Sequence, residues 1–280
     1  MRDLSFTKMH GLGNDFVVFD GIRQELSLSS AQIRFLANRH LGVGCDQLLL
    51  VERPIRSDVD FRYRIFNADG QEVSQCGNGA RCFARFVRDQ GLTTSGEIRV
   101  ETASGIITLF MESDSIVRVN MGVPSLEPAD IPFLPLSQSS SSYQLSMGGQ
   151  EVTFSVVSMG NPHAVIIVPD VAVAAVDQAP VLQKSAHFPE GVNVGFMAIH
   201  SPAEISLRVI ERGVGETLAC GTGACAAVVA GRVSGQLADE VQVRLAGGLL
   251  TIAWQGVGTP VWMSGPTESV FEGQINLPDC

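Results

Sequence analysis

Arg64 to Ala80, R-I-F-N-A-D-G-Q-E-V-S-Q-C-G-N-G-A, lies without a gap over Arg208 to Ala224, R-V-I-E-R-G-V-G-E-T-L-A-C-G-T-G-A. Arg, Glu, Cys, two Gly and Ala coincide. Two further matches extend the alignment in the same order. E-I-R-V-E-T-A-S-G-I-I-T-L from Glu97 resembles E-V-Q-V-R-L-A-G-G-L-L-T-I from Glu240, and G-N-D-F-V-V from Gly13 resembles G-N-P-H-A-V from Gly160. Ordered matches with slightly drifting offsets mark a duplicated chain with small insertions, so each half is read as one copy of a structural unit.

The period of the apolar residues gives each copy its elements. Phe61 to Phe66 alternates with Arg62 and Arg64, and Ile205 to Ile210 with Ser206 and Arg208, the two-residue period of strands. Each strand runs into a polar turn and then a helix. The second helix, about Gly221 to Val233, is apolar on every side and is expected at the middle of its unit. The first, about Gly77 to Gln90, interleaves Arg81, Arg85 and Arg88 with Cys82, Phe83, Phe86 and Val87, and is expected to keep one wet edge. Further strands are read at Phe16 to Phe19, Gln47 to Val51, Ile98 to Glu101, Ile106 to Met111 and Ile116 to Met121, with equivalents in the second half. The expectation is an α/β (α+β) fold of two pseudo-symmetric domains, each a mixed, mostly antiparallel β-sheet wrapped around a central α-helix, with the active site in the cleft between them. Residues 1–122 with 266–280 are expected to form the first domain and 123–265 the second. Gly122 to Pro135 is the expected crossing, and Ser137 to Ser142 a serine-rich loop.

Composition narrows the function. The chain has 280 residues, 45% hydrophobic and 17% charged, enough to bury a core and unlike a disordered or fibrous protein. Nineteen Lys plus Arg against 29 Asp plus Glu give a net charge of −10, the wrong sign for gripping phosphate backbones, so no nucleic-acid partner is expected. The N-terminus lacks the pattern of a secretory signal, and the most apolar stretch, Ala164 to Val176, is interrupted by Pro169 and Asp170. No membrane partner is expected, and the location is read as cytoplasmic. Six scattered cysteines do not make a disulfide scaffold.

The repeat places one cysteine per half, Cys76 and Cys220, at the start of a helix and followed by Gly-x-Gly-Ala. A thiol there feels the positive end of the helix dipole and open backbone N–H groups, which are expected to lower its pKa from about 8.5 toward neutrality. Two such thiols on either side of one ligand suit removing a proton from one face of a carbon and returning one to the other. The helix N-termini would hold a carboxylate and stabilise the charge spreading into it. The alternatives are a small apolar residue at a tight turn, or a redox pair. Cys82 and Cys225 read as core residues, Cys45 and Cys280 as incidental, and the cysteine spacings lack the close knuckles of a structural zinc site, so no metal is expected. Asn14, Asn67, Asn161 and Asn193 follow strands or turns, where asparagine also caps turns. Glu211-Arg212-Gly213 suits either a zwitterionic amino-acid end or a solvated charge pair, and His163 either a ligand contact or a structural role.

With these residues in view the chain resembles the diaminopimelate epimerase family nearly end to end. The resemblance rests on K-M-H-G-L-G-N-D-F (Lys8 to Phe16), G-V-G-C-D-Q-L-L (Gly42 to Leu49), F-N-A-D-G (Phe66 to Gly70) and C-G-N-G-A-R-C (Cys76 to Cys82). It continues through G-N-P-H-A (Gly160 to Ala164), N-V-G-F (Asn193 to Phe196) and E-R-G-V-G-E-T-L-A-C-G-T-G-A (Glu211 to Ala224). It implies interconversion of LL- and meso-2,6-diaminoheptanedioate without pyridoxal phosphate or any other cofactor, with Cys76 and Cys220 as the acid/base pair assisted by His163 and Glu211. Gly77, Asn78, Gly221 and Thr222 would lie on the reacting carboxylate. Asn14, Gln47, Asn67, Asn161, Asn193, Glu211 and Arg212 would bind substrate, several at its distal amino-acid end. The resemblance also implies a homodimer, a small amino-acid substrate as the other partner, and a place in lysine and peptidoglycan precursor synthesis.

The chain departs from the family pattern at Cys45 and Ile210, where an aromatic residue is common, at Phe271, where a Tyr often lies near the dimer contact, and at Thr222, which replaces a frequent Ser. The competing readings are a proline or hydroxyproline racemase on the same scaffold and a thiol–disulfide redox protein.

Overall fold

Each half of the chain is organised by a parallel pair of strands that is apolar without interruption. The computed structural model describes residues 3–73, 76–135, 142–147 and 149–277. The chain divides into two units, Met1–Val119 with Ser264–Cys280, and Asn120–Met263.

The first unit contains β1 (Asp3–Gly11), β2 (Asn14–Asp20), α1 (Ser30–Ala37), β3 (Gln47–Glu52), β4 (Phe61–Asn67), β5 (Glu72–Val73), α2 (Gly77–Asp89), β6 (Glu97–Thr102), β7 (Gly105–Met111) and β8 (Ile116–Asn120, its last residue past the division). β1 pairs antiparallel with β2, β2 parallel with β3, β3 antiparallel with β4, β4 parallel with β6, and β6, β7 and β8 follow antiparallel. β2 and β3 are buried on both faces, which is why Phe16 to Phe19 and Leu48 to Val51 are continuous apolar runs. β4, whose side chains alternate, carries the two-residue period.

The crossover from β2 to β3 is α1, begun by a reciprocal cap. The Gln32 N–H donates to Ser29 Oγ at 3.3 Å, and the Ser29 N–H to Gln32 Oε1 at 3.0 Å. Ile33 and Leu36 pack with Phe6, Val17, Phe19, Leu48 and Leu50, and Cys45 lies in this same core. α2 also packs on the sheet, with Phe83 edge-on to Phe61 and Tyr63 at 6.0 and 5.3 Å. Its expected wet edge is only partly present. Arg85 and Arg88 are half-buried, whereas Arg81 is fully buried, because its turn of the helix carries it beneath the β1–β2 hairpin, where a Cβ on Gly11 would stand 3.2 Å from Arg81 Nη2.

The second unit contains β9 (Tyr143–Met147), β10 (Gln150–Ser158), β11 (Pro162–Ile167), α3 (Ala179–Gln183), β12 (Asn193–Ser201), β13 (Glu204–Glu211), β14 (Gly215–Thr217), α4 (Gly221–Val233), β15 (Glu240–Leu245), β16 (Gly248–Trp254) and the first half of β17 (Val261–Pro266). The closing strand β18 (Glu268–Asn276) returns to the first unit and pairs antiparallel with β1. Within the second unit β10–β11 is antiparallel, β11–β12 parallel, β12–β13 antiparallel, β13–β15 parallel and β15–β16 antiparallel. Strand for strand this is the partner order of the first unit. The α1 core is replaced by aromatic packing of Phe133 on Tyr143 and Phe188 at 4.7 and 4.8 Å, with Ile210 in the same cluster. α4 is buried from Gly223 to Gly231, as its all-round apolarity requires.

Two duplicated details explain the matched letters. Arg64 donates from Nε and Nη2 to Glu72 at 2.8 and 2.7 Å, and Arg208 donates likewise to Glu216 at 2.7 and 2.9 Å. The second glycine of each Gly-x-Gly-Ala lets its helix approach its strand. A Cβ on Gly79 would stand 2.6 Å from the Tyr63 hydroxyl, and one on Gly223 would stand 3.0 Å from Val209 Cγ2. Neither α1 nor α3 was expected from the apolar period. The serine-rich loop, Ser137 to Ser142, lies outside the described residues apart from exposed Ser142. Cys280 is likewise outside them.

Candidate active site

In the first unit the β1–β2 turn decides where Asn14 goes. Leu12 and Gly13 both adopt the left-handed conformation, with φ of 56° and 85°, the geometry of a two-residue hairpin turn. Leu12 is the one non-glycine with positive φ among the described residues, and its buried side chain holds it there. Asn14 then stands beside the start of α2. Its Oδ1 accepts from Cys76 Sγ at 3.7 Å and from Asn78 Nδ2 at 3.2 Å. Cys76 is the extended residue before α2, and the first helical bond runs from the Ala80 N–H to Cys76 O at 2.8 Å. The N–H groups of Gly77, Asn78 and Gly79 precede that bond and lie at the positive end of the helix. Gln47 Nε2 donates to Asn67 Oδ1 at 2.8 Å across the β3–β4 pair.

Sequence reasoning missed what surrounds Asn14. Its Nδ2 donates to Asp46 Oδ2 at 3.0 Å, and Arg39 bridges Asp46 and Asp15 at 2.8 and 2.7 Å. Lys8 Nζ donates to Asp15 Oδ2 at 2.6 Å and also to the Gly44 carbonyl. Burial would raise the Asp15 carboxyl, but the hydrogen bonds from Arg39 and Lys8 outweigh it and hold it well below the usual carboxylate range. Arg81 Nη2 donates to Asn78 Oδ1 at 3.0 Å. Asp15 and Asp46 immediately follow and precede Asn14 and Gln47, and that adjacency was the available signal.

In the second unit Cys220 is the extended residue before α4 and is buried. Thr222 Oγ1 lies 3.6 Å from its sulfur, Asn161 Nδ2 donates to Thr222 Oγ1 at 3.4 Å, and His163 Nε2 meets Asn161 Oδ1 at 3.0 Å. Asn193 Oδ1 accepts from the Arg212 N–H at 2.9 Å, while Arg212 Nη1 donates to the Glu190 carbonyl at 2.5 Å. Glu211 accepts from the Thr217 hydroxyl at 2.5 Å. The expected acidic thiol is not what this site makes of Cys220. Burial pushes its pKa up, the Glu211 carboxylate adds to the rise, and the Thr222 hydroxyl and Gly223 N–H only partly oppose it. Burial lowers His163 to about 3, helped by the Arg212 charge, so its imidazole is neutral. Cys45 and Cys82 are pushed up to about 12 by burial and behave as inert core thiols.

The structure thus brings Asn14, Cys76, Gly77 and Asn78 together in one unit, with Gln47 bonded to Asn67. In the other it joins His163, Asn161, Thr222 and Cys220, with Gly221, Glu211, Asn193 and Arg212 alongside. Among the described residues no group of three or more His, Cys, Asp or Glu is placed to hold a metal ion, and no helix is long and apolar enough to cross a membrane.

The mixed α/β fold is that of solved structures of low sequence identity. A hydroxyproline epimerase from Agrobacterium vitis superposes with a TM-score of 0.71 at 17% identity, over 99% of this chain and 94% of its own. A PhzF-family phenazine biosynthesis protein from Bacillus anthracis gives 0.70 at 15% identity, over 99% and 100%. Closer relatives narrow the class. A family model described as diaminopimelate epimerase matches residues 6–127 and 155–270. Diaminopimelate epimerases of Nitrosospira multiformis and Nitrosomonas europaea are 55% and 58% identical over 275 residues, 98% of this chain and 99% of each relative. The chain belongs to the diaminopimelate epimerase family.

Proposed function

We propose that the protein is an isomerase that interconverts LL- and meso-2,6-diaminoheptanedioate, with Cys76 and Cys220 serving opposite faces of the reacting carbon. The observation that carries the reading is one cysteine per unit at a helix start within a chain related end to end to diaminopimelate epimerases. One cysteine, as thiolate, takes the Cα proton onto sulfur. The electron pair left behind spreads into the carboxylate, and the other cysteine delivers its S–H proton to the opposite face. In the reverse direction the roles exchange.

The helix-start N–H groups of Gly77, Asn78, Gly221 and Thr222 supply hydrogen bonds and positive dipole ends where the carboxylate charge grows. Glu211 receives the Cys220 proton when that thiol must become the base, and His163 assists the proton transfers. Asn14, Gln47, Asn67, Asn161, Asn193 and Arg212 bind the substrate's polar groups. A site built for a second ammonium and carboxylate leaves those groups unpaired when a simple amino acid enters, which discriminates against it. The thiols carry the chemistry without a cofactor, in a cytoplasmic homodimer serving lysine and peptidoglycan precursor synthesis.

The test is reduced protein incubated with LL-diaminoheptanedioate in heavy water, following α-deuterium uptake and the meso isomer. Wild type should do both with no cofactor added, and Cys76→Ala and Cys220→Ala should epimerise at least about a thousandfold more slowly. Exchange with proline and none with the diamino acid would move the specificity to a proline racemase. No exchange with either would overturn the enzyme reading.

A further inference from the structure

The amide chain beside Cys76 ends on two groups that each have only one hydrogen-bonding role. Arg81 is a donor and cannot accept; Asp46 as a carboxylate is an acceptor and cannot donate. Between them lie Asn78 and Asn14, whose amides alone could point either way. With Arg81 Nη2 on Asn78 Oδ1 at 3.0 Å, the Asn78 Nδ2 must face Asn14, which it meets at Oδ1 at 3.2 Å. With Asp46 Oδ2 on Asn14 Nδ2 at 3.0 Å, the Asn14 Oδ1 must face the other way, toward Cys76 Sγ at 3.7 Å. Both ends impose the same orientation. Asp46 is itself held, since Arg39 donates to its Oδ1 at 2.8 Å and its Oδ2 also accepts the Asp15 N–H at 3.2 Å.

We propose that Asp46 and Arg81 are positioning residues that lock the Asn14 amide in one polarity, so that Cys76 always faces an acceptor there. An acceptor stabilises the S–H form and leaves the thiolate without that hydrogen bond. Asn14 therefore biases Cys76 toward its S–H form. The consequence for turnover rests on the reading of Cys76 as a reacting thiol; the locked orientation does not. Among the described residues, Tyr63 on β4, whose hydroxyl donates to Cys76 O at 3.5 Å, and Cys82 on α2 interact electrostatically with Cys76, and Arg81 shares that helix. Beyond Asn14 come Asp46, Asp15, Arg39 and Lys8.

The test measures the alkylation rate of Cys76 by iodoacetamide against pH, read on the peptide that contains it, in wild type, Asp46→Asn and Asp46→Glu. An asparagine at position 46 has both roles and removes the closer of the two constraints, leaving only the 3.2 Å Asn78 contact to oppose an Asn14 amide turned with its N–H toward sulfur, which favours the thiolate. The alkylation rate below the thiol pKa should rise about three- to tenfold, the weight of one hydrogen bond, and Asp46→Glu should restore the wild-type profile. Asp46→Ser, also neutral with both roles, should behave like Asp46→Asn. Removing a charge would act in the same direction, but that contribution fades in about 1 M KCl, where the screening length is about 3 Å, whereas an amide orientation does not. A rise that persists in salt and is reversed by glutamate supports the proposal. An unchanged profile, or a rise that vanishes in salt, overturns it. Full epimerisation by Cys76→Ala would overturn the catalytic reading of that thiol while leaving the alkylation result to stand by itself.

Discussion

Phe16 in the first unit and His163 in the second hold the same place: Phe16 sits opposite Gln47 across the parallel β2–β3 pair, and His163 opposite Asn193 across β11–β12. The comparison continues around each cysteine. Asn67 is replaced by Glu211, Val73 by Thr217, Asn78 by Thr222 and Arg81 by Cys225. Pairing order, the Arg–Glu bridge and the helix-start glycines are kept in both units, so the fold is carried by backbone partners and close approaches. The chemistry lies in the side chains that changed. The first unit surrounds its thiol with amides held between Arg81 and Asp46. The second supplies an imidazole, a hydroxyl and a carboxylate, each able to donate or accept or to take up a proton. A duplicated scaffold thus presents one thiol among amides and another beside a hydroxyl, with a carboxylate and an imidazole in the same network.

The sharpest way to break that contrast is Glu211→Gln beside Asn67→Ala. Loss of the carboxylate should lower kcat about a hundredfold or more, because Glu211 is the proposed acceptor of the Cys220 proton. The same change should make Cys220 easier to alkylate, since the Glu211 charge is part of what raises its pKa. Activity and thiol reactivity should therefore move in opposite directions. Asn67→Ala should act mainly on KM. Equal kcat losses in the two variants, or a Cys220 alkylation profile that does not move, would sink the assignment of the proton acceptor to the second unit.

Much of this arrangement was legible in the letters, and the failures share a cause. The duplication, both central helices and their cysteine starts follow from repetition and period, which are local signals. α1 escaped because its eight residues, little more than two turns, are too short to set a helical period, although Ser29 and Gln32 stand at capping-box spacing. Arg81 read as solvent-facing because a charge in a helix usually is; its burial depends on the β1–β2 hairpin that arrives from 70 residues earlier, about the span from Gly11 to Arg81. The thiol of Cys220 was expected to be acidic from the helix dipole alone. Burial and Glu211 decide it instead, and neither desolvation nor a neighbour brought by β13 has a sequence period.

His163→Phe gives the second unit the residue of the first and should sharpen the contrast through acid stability. Burial holds the native His163 pKa at about 3, below the unfolded value of 6.5. The unfolded chain therefore binds the extra proton between those limits. Stability is fully present above about pH 6.5 and is lost as the pH falls toward 3, by about 2 kcal/mol at pH 5. Asp15 in the first unit also has a depressed native pKa, and its contribution is lost as the pH falls through the usual carboxylate range and below. Urea titrations at pH 7.5 and 5 should show the loss in wild type and a smaller one in His163→Phe. A pH-dependent loss of the same size in both would show that His163 titrates normally and is not desolvated.

The smallest effect belongs to the duplicated ion pairs. Glu72 and Glu216 lie on the short strands that lead the chain back from β4 and β13 toward the cysteines, and each meets its arginine through two hydrogen bonds. Glu72 and Glu216 are 36% and 43% exposed in their side chains, so water and salt screen both pairs. Glu72→Ala and Glu216→Ala should each cost about 0.5–1 kcal/mol in a urea titration, with the loss shrinking in high salt. Arg208→Ala should cost more than Glu216→Ala, because Arg208 also donates to the Val171 carbonyl at 2.9 Å, and removing the arginine deprives that carbonyl of a partner too. If Glu216→Ala instead slows epimerisation strongly while Glu72→Ala does not, the bridge would be aligning Thr217 and Glu211 for Cys220, and the two units would differ in how they use even the feature they share.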